Sequence, residues 1–364
     1  MKIRYLANPH SVHVQQWIGL LDDSFEVEIF TIEPPPMEDM LPPNITCRSP
    51  LPKWTRRLPK ILRYASLGLH TRMFVRNRAG FHAHNSSGYG LAALISGHQY
   101  VLTTYGSEIF DAGQRGKFYR LLIHRVLRKA LCITCTSRGM LEALTNQFGV
   151  ERERVSFFSL GVTSEFTAKS VVRSFPVDRN GRVWFANRRI LPLYRTQEIV
   201  EAFLRFKNNG GKGKLILIKG DSSGAYFEVI RQLVAPRNDV ELVTEFLSPP
   251  EMIELLDQCD FTLSFPDSDQ LSSSILEGMA RGCIPVLRNL ASYAELSQYA
   301  QTLSLSDDEP CVAIEEMFKQ TASLEPNKLR DMSLLAQKTV RERYSTAVAS
   351  SHYLRIIDLH SRLE

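Results

Sequence analysis

The first half of this 364-residue sequence contains a long stretch without acidic side chains. No Asp or Glu occurs between Asp39 and Glu108, whereas the basic residues in that stretch are Arg48, Lys53, Arg56, Arg57, Lys60, Arg63, Arg72, Arg76 and Arg78. The net charge of +5 is therefore concentrated in one region, which favours an anionic partner. Nucleic acid is not expected as that partner, because aromatic stacking residues are not interleaved with the basic ones.

Long apolar runs, clustered cysteines and a leader-like N-terminus are also missing. No run of about 18 apolar residues occurs, so no membrane-spanning helix is expected. The six cysteines are scattered, and Cys132 and Cys135 are predicted to be structural thiols on opposite faces of a strand. The first ten residues lack the pattern of a signal peptide. These features predict a cytoplasmic location, with peripheral attachment to the inner face of the cell membrane left open.

Apolar runs that suit strands alternate with amphipathic runs that suit helices. The alternation begins with KIRYLAN and VHVQQWIGLL and restarts at GRVWFANR after a polar stretch. This pattern predicts an α/β protein with two Rossmann-like, doubly wound parallel-sheet domains. The predicted boundaries are 1–165 for the N-terminal domain, 166–178 for a linker, 179–345 for the C-terminal domain and 346–364 for a last helix, whose packing on the first domain is left open. Residues 326–359 are expected to be helical throughout.

The stretch DSDQLSSSILEGMARGCIPV, residues 267–286, places two carboxylates around a run of serines. The predicted order is a loop that follows a strand and leads into a helix at residues 272–282. A helix N-terminus offers free backbone N–H groups and the positive end of the dipole, so the serines predict a phosphate site. Glu277 can accept hydrogen bonds from ribose hydroxyls, and Asp269 from those of a sugar. On these residues alone, ordinary serine caps beside an exposed Glu are an alternative.

With these residues the sequence resembles a known family. Asp269 and Glu277, with seven residues between them, and the following GMARGCIPV resemble the E-x7-E signature of the retaining family 4 glycosyltransferases, which have the GT-B fold. The segments HSVHVQQW, FHAHNSSGYGLAALISG, LTTYGSEIF and RRILPLYRTQEIVEAF resemble family segments in the same order. The resemblance spans nearly the whole chain and implies two Rossmann-like domains that face a central cleft.

The resemblance implies that the second domain binds a nucleotide-sugar donor. Its catalytic candidates are Asp269, Glu277, His84 and Arg189, and its donor-binding candidates are Arg189, Arg195, Lys219, Ser272, Ser273, Ser274 and Glu277. Arg189 and Arg195 would neutralise the diphosphate, because a planar guanidinium matches phosphate oxygens, although surface arginines are an alternative. With these charges present, no metal and no cofactor other than the substrate itself is expected.

The resemblance also implies that the first domain binds the acceptor. The acceptor-side candidates are His13, Tyr105, Ser107 and Glu108. Tyr105 stands where the family often has His, so that role falls to His13 or His84, with a structural His84 as the alternative. Asp269 is one methylene shorter than the family's Glu. The basic segment 48–78 is expected to contact an anionic membrane surface or a lipid-linked acceptor, unless it is a solvated helix face.

The sequence thus predicts a glycosyltransferase that moves a sugar from a nucleotide-sugar to a hydroxyl of a glycan or lipid-linked acceptor. Cell-surface polysaccharide, lipopolysaccharide or glycolipid synthesis would use such an enzyme. Retention of configuration and metal independence are expected from the family. Two alternatives remain: a nucleotide-sugar 2-epimerase of the same architecture, and a catalytically silent nucleotide-sugar-binding protein.

Overall fold

The computed structural model describes residues 1–37, 41–75, 80–176, 181–235, 237–269, 271–305 and 308–361, without the side chains of Ser107 and residues 359–361. The chain divides into two compact units, each with its own parallel sheet. Unit 1 contains residues 1–160 and 347–364, and unit 2 contains residues 161–346. The predicted pair of Rossmann-like α/β domains is confirmed.

Unit 1 is built on a parallel sheet of seven described strands. These are β1 (Lys2–Leu6), β2 (Glu26–Phe30), β3 (Ile45–Arg48), β4 (Phe81–His84), β5 (Tyr100–Thr103), β6 (Cys132–Cys135) and β7 (Val155–Phe157). Their order is β3-β2-β1-β4-β5-β6-β7, so the winding direction reverses at β1. In such sheets, ligands bind beyond the carboxyl ends of the strands at this reversal.

Helices cover both faces of the unit 1 sheet. They are α1 (Val12–Ile18), α2 (Lys60–Phe74), α3 (Gly90–Ser96), α4 (Ser107–Phe110), α5 (Lys117–Lys129), α6 (Arg138–Glu142) and α14 (Thr346–Ser361), with π-helical turns at Asn85–Tyr89 and Ala143–Gln147. Alternation along β1 sends Tyr5 to the face covered by α1 and α14 and Leu6 to the face covered by α2 and α3. This separation of faces distinguishes two sites described below.

Unit 2 repeats the architecture with six described strands. They are β8 (Arg182–Ala186), β9 (Gly213–Ile218), β10 (Val240–Val243), β11 (Phe261–Ser264), β12 (Ile284–Arg288) and β13 (Gln301–Leu303), in the order β10-β9-β8-β11-β12-β13. The helices are α7 (Ser164–Thr167), α8 (Thr196–Asn208), α9 (Ala225–Val234), α10 (Pro249–Gln258), α11 (Ser273–Ala280), α12 (Pro310–Ala322) and α13 (Pro326–Arg343). The winding direction reverses between β8 and β11.

The core of unit 2 is fixed by packed aromatic rings and by helix caps. Trp184 of β8 lies between Phe203, Phe261 and Phe318, with ring centroids 5.1–6.1 Å apart. Helix α10 begins with a capping box, in which the Glu251 carboxylate accepts a hydrogen bond of 2.7 Å from the backbone N–H of the N-cap residue, Ser248. These elements hold the strands whose ends carry the site.

Two sequence expectations differ from the structure. Residues 326–359 are not helical throughout, because the chain is extended at Ser345, where it forms a parallel bridge with Val162. The residues 166–176 that were assigned to a linker lie in unit 2, and residues 177 and 178 lie outside the described residues. The prediction for Cys132 and Cys135 is confirmed: both lie on β6 and pack on opposite faces of the sheet, and burial raises the pKa of Cys132 to about 11 and of Cys135 to about 12.

Candidate functional site

The candidate site of unit 2 lies beyond the carboxyl ends of β8 and β11, the neighbouring strands at which the winding reverses. The segment after β8 carries Arg188 and Arg189, and the segment after β11 carries Asp267 and Asp269. Helix α11 then begins with its N-cap at Ser272. The fold therefore brings arginines, carboxylates and a helix N-terminus to one edge of the sheet.

Arg188 connects these segments. Its Nη1 donates to the hydroxyl of Ser272 and, at 3.3 Å, to that of Ser274. Its Nη2 lies 2.9 Å from an oxygen of Asp269 and donates to the Tyr194 hydroxyl at 2.9 Å, while the guanidinium lies 4.3 Å from the centre of the Tyr194 ring. A cation is thus held directly at the start of α11.

The serines at the start of α11 differ in their surroundings. Ser272 is buried, Ser274 is half-buried, and their hydroxyls lie 2.8 Å apart, whereas Ser273 is exposed. The side-chain amide of Asn187 also donates to the Ser274 carbonyl at 3.0 Å, which fixes the helix to the end of β8. Two of the three predicted serines are therefore gathered around one guanidinium.

Asp269 is fixed from two sides. It accepts a hydrogen bond of 2.6 Å from the Tyr293 hydroxyl and forms the ion pair with Arg188. Tyr293 is buried, and its hydroxyl lies 3.2 Å from that of Ser264 at the end of β11. Burial and the neighbouring Asp269 carboxylate raise the pKa of Tyr293, so its hydroxyl remains a donor. The carboxylate of Asp269 is accordingly oriented by two donors.

Glu277 lies one turn into α11 and differs from the other acids of the site. The carboxyl is half-buried, and within the described part of the chain it makes no side-chain hydrogen bond or ion pair. Burial raises its pKa to about 7. Next to it, Gly278 allows α11 to approach β11 closely, since a Cβ there would lie 2.6 Å from the Thr262 methyl. The geometry leaves Glu277 able to accept hydrogen bonds from a ligand.

The predicted basic pair, Arg189 and Arg195, is directed toward carboxylates. Arg189 donates to both oxygens of Asp221 at 3.1 Å, on the exposed loop after β9. Arg195 has a left-handed backbone, with φ of 52°, and its Nε donates to Asp267 at 2.7 Å. Asp267 also accepts from Arg288 at 2.7 Å. Burial opposes its ionisation, but the two guanidiniums hold its pKa below the usual range.

Lys219 belongs to the loop that follows β9. Its ammonium lies 5.2 Å from the centre of the Phe227 ring. The next residue, Gly220, has φ of 61°, and a Cβ there would lie 3.0 Å from the Cβ of Arg189. Lys219 and Arg189 are therefore on neighbouring loops of the same sheet edge.

In unit 1, the predicted acceptor-side residues gather around Tyr105. Its hydroxyl is hydrogen-bonded to Nδ1 of His84, and its ring stacks on that of His13 with centroids 5.1 Å apart. His84 is buried beside Tyr5 and Trp17. Burial, with a smaller contribution from His13, lowers the pKa of His84 to about 3, so the imidazole is neutral. His13 is the exposed histidine of this group.

Glu108, on helix α4, contacts the backbone of Tyr105. Its carboxylate accepts a hydrogen bond from the Tyr105 backbone N–H at 2.8 Å, and burial raises its pKa. Ser107 opens helix α4, but its side chain lies outside the described residues. The buried hydroxyl of Ser86 finds no acceptor or donor among the described residues. Glu108 thus shapes the loop that carries Tyr105.

Three residues of these sites were missed from the sequence. Arg188 was passed over because the choice between adjacent arginines rested on the six-residue spacing to Arg195. The chain bends at Arg188, after the end of β8, so strand alternation does not decide which of the two adjacent arginines faces α11, and no sequence pattern carried that signal. Tyr293 and Arg288 come from later segments, and no local pattern connects them to the site.

Metal-binding clusters and membrane-spanning helices are both absent from the described residues. Among the described residues, no group of three or more His, Cys, Asp or Glu side chains is arranged to hold a metal ion. Within the same residues, no helix combines the length and apolar character needed to cross a membrane.

Comparisons with known proteins support the architecture. Residues 2–137 match the model of the family described as glycosyl transferase 4-like. A glycosyltransferase from Rickettsia africae is 11% identical, with a TM-score of 0.76 over 100% of this chain and 99% of that one. Anabaena HepE, solved in complex with UDP and glucose, is 13% identical, with a TM-score of 0.71 over 98% and 99%.

A third similar structure is the sucrose-phosphate synthase of Thermosynechococcus elongatus, which is 13% identical, with a TM-score of 0.70 over 100% of this chain and 99% of that one. No sequence among the curated proteins compared with this chain matches it. Because the similarity covers both parallel-sheet units over essentially the full length, the chain has the GT-B fold of these glycosyltransferases.

Proposed function

We propose that the protein is a glycosyltransferase that uses a nucleotide-sugar donor. The observation that carries this proposal is the cluster of Arg188, Ser272 and Ser274 at the N-terminus of α11, with the Glu277 carboxyl one turn further along. A guanidinium, hydroxyls and a helix N-terminus together suit a diphosphate. The family match supports glycosyl transfer, and the UDP-bound HepE neighbour makes a uridine nucleotide the first donor to test.

The roles follow from the geometry. Arg188 and the α11 N-terminus would stabilise the negative charge that develops on the leaving diphosphate, which is commonly the largest contribution to such catalysis. Arg189, Arg195 and Lys219 lie on adjoining loops and would add positive charge when they exchange their present partners for phosphate oxygens. Glu277 would accept hydrogen bonds from the ribose, and Asp269, fixed by Tyr293, from the donor sugar.

We extend the proposal to a metal-independent reaction with retention of configuration, as in the E-x7-E family. The arginines would offset the diphosphate charge, and a donor phosphate oxygen would accept the proton of the acceptor hydroxyl on the same face of the sugar. In unit 1, His13 and Tyr105 would contact the acceptor. The buried, neutral His84 would orient the Tyr105 hydroxyl, and Glu108 its backbone.

For the acceptor we propose a glycan or a lipid-linked glycan, used at an anionic membrane surface on the cytoplasmic side. Helix α2 exposes the apolar side chains Ile61, Leu62, Leu69 and Met73 on one stripe, and Trp54 precedes it. Of the basic residues described along segment 48–75, Arg63 is buried against the Ile32 carbonyl and the others are exposed, while Arg76 and Arg78 lie outside the described residues; the exposed ones are Arg48, Lys53, Arg56, Arg57, Lys60 and Arg72. Each basic residue near an anionic surface contributes about 1 kcal/mol. Synthesis of a surface polysaccharide or lipopolysaccharide would fit this placement.

The decisive experiment measures donor binding and then transfer. Calorimetric titration with UDP-glucose, GDP-mannose, ADP-glucose and CMP-sialic acid identifies the nucleotide. Arg188→Gln should weaken binding of the preferred donor, whereas Arg231→Gln, an exposed change on α9, should not. If no nucleotide-sugar binds, or if the Arg188 variant binds as the parent does, the proposed donor site is wrong.

Product analysis then separates the functions. Release of nucleotide only when a glycan or lipid-linked acceptor is added supports transfer, and the configuration of the new bond tests retention. Conversion of the donor sugar without any acceptor would instead indicate a 2-epimerase. Tight donor binding with no turnover across an acceptor panel would indicate a binding protein. Addition of a chelator tests the expected metal independence.

A further inference from the structure

Unit 1 contains a cavity on the face of its sheet opposite His84. The cavity has a volume of about 600 Å³ and is lined by Lys2, Arg4, Glu28, Arg48 and His70 together with apolar side chains. Arg4 and Glu28 point to the α2 side of the sheet, whereas Tyr5 and His84 pack on the α1 side. The cavity is therefore separate from His13, Tyr105 and His84, although Arg48, His70 and Phe74 belong to the basic segment 48–75.

Three cations converge on one carboxylate in this cavity. Glu28 is buried and lies 3.2 Å from Lys2 Nζ, 3.2 Å from Arg4 Nε and 3.0 Å from Arg48 Nε. A single negative charge thus faces three positive ones. In addition, Nη1 of Arg4 is buried and finds no acceptor among the described residues. A buried guanidinium donor without an acceptor is costly, and an anion bound beside Arg4 would offset the excess positive charge.

The other wall of the cavity is apolar. Phe30, Phe74 and Val75 line it, and Phe74 is exposed beside Met73 at the end of α2. Arg48 and Lys2 are partly exposed, with side-chain exposures of 58% and 42%, so both can reorient toward a ligand. A small inorganic ion would use only the basic wall, whereas a ligand with an organic part would use both walls.

We propose that this cavity binds a phosphate ester, with the phosphate held by Arg4, Arg48 and Lys2 and the organic part against Phe74. Guanidinium groups suit phosphate oxygens because they can donate two parallel hydrogen bonds. The phosphate can belong to a soluble metabolite or to a lipid headgroup, since the cavity opens beside the exposed apolar side chains of α2. The site does not depend on the proposed transferase activity.

The test pairs two double variants with the same loss of charge. Lys2→Gln/Arg48→Gln removes two exposed cations of the cavity. Arg125→Gln/Arg128→Gln removes two exposed cations on α5 that neither line the cavity nor belong to segment 48–75. Circular dichroism melting confirms that each variant is folded, and donor binding confirms that unit 2 is intact.

Glycerol 3-phosphate is the soluble probe, and vesicles of phosphatidylcholine with or without phosphatidic acid are the lipid probe. The cavity variant should bind glycerol 3-phosphate about tenfold or more weakly than the parent, because charge-assisted hydrogen bonds are lost, and the control variant should match the parent. If phosphatidic acid vesicles bind and the cavity variant loses more binding than the control, the phosphate belongs to a lipid. If the cavity variant loses more binding than the control with glycerol 3-phosphate but not with the vesicles, the phosphate belongs to a soluble metabolite. Equal behaviour of both variants with both probes, or no binding of either probe, overturns the proposal.

Discussion

The half-buried carboxyl of Glu277 permits a test in which stability and donor affinity change in opposite directions. Burial raises its pKa from an ordinary value of 4.5 to about 7. Between these two values the folded protein binds more protons than the unfolded chain, so the free energy of unfolding falls as the pH rises through this window. The shift corresponds to about 3 kcal/mol at about 1.36 kcal/mol per unit, which partial exposure reduces to about 1–3 kcal/mol.

Glu277→Gln removes this titration while it keeps the shape of the side chain. At pH 8 the variant should be more stable than the parent by about 1–3 kcal/mol, and the difference should shrink toward zero near pH 4.5. Urea unfolding followed by tryptophan fluorescence measures it, since Trp184 is buried in the core of unit 2. Glu254→Gln, an exposed change on α10, is the matched control and should stay within about 0.5 kcal/mol of the parent. A pH-independent difference would contradict the burial argument.

Donor affinity should respond in the opposite sense. UDP-glucose suits the measurement because its phosphates carry no group that titrates near pH 7. If Glu277 holds the ribose, Glu277→Gln should lose about 1.5–3 kcal/mol of binding at pH 8, or roughly 10- to 150-fold in affinity. The parent should bind more tightly as the pH rises through about 7 and the carboxylate forms. An unchanged dissociation constant in the variant would refute the ribose role.

Further predictions concern the surrounding contacts. Arg188→Gln should weaken UDP-glucose binding by roughly 10- to 150-fold, because a charge-assisted contact to the diphosphate is lost, and calorimetry would reveal an unchanged value if the assignment is wrong. Tyr293→Phe should lower the free energy of unfolding by about 1.5–3 kcal/mol, because Asp269 loses its 2.6 Å donor; an equal urea midpoint would argue against this bond. Gly278→Ala should destabilise the protein by about 1–3 kcal/mol, since the new Cβ would meet Thr262 at 2.6 Å, and should also lower donor affinity by displacing α11.

The order of strands and helices could be predicted because buried parallel strands leave continuous apolar runs and their covering helices leave amphipathic ones. The break in the C-terminal helical segment, at Ser345, could not be predicted from the sequence. Ser345 has no sequence signal of a strand, and its extended backbone depends on the bridge to Val162, which is far away in the sequence. Strand β3 was missed for a related reason: it is an edge strand of four half-buried or exposed residues, so it leaves no apolar run.

The candidate site could be predicted where its residues lie on one segment. Ser272, Asp269 and Glu277 follow from a strand, loop and helix in succession, and the structure has this order. Tyr293 could not be predicted, because its contact with Asp269 depends on how the segment after β12 returns across the sheet edge. The burial that raises the pKa of Glu277 likewise depends on close packing of α11 against β11.

The three arginines of the donor side differ in what a diphosphate must displace. Arg189, which is 48% exposed, pairs with Asp221, which is 76% exposed, and such a pair contributes only about 0–1 kcal/mol, whereas Arg195 is 12% exposed and shares Asp267 with Arg288. Phosphate oxygens can replace Asp221 at small cost, while Asp267 is held by two guanidiniums. Arg188 instead contacts two serine hydroxyls, Asp269 and the Tyr194 ring, and is 15% exposed. Because several partners fix its position, Arg188 is already oriented before the ligand arrives, and such preorganised charge is what stabilises a developing negative charge most effectively.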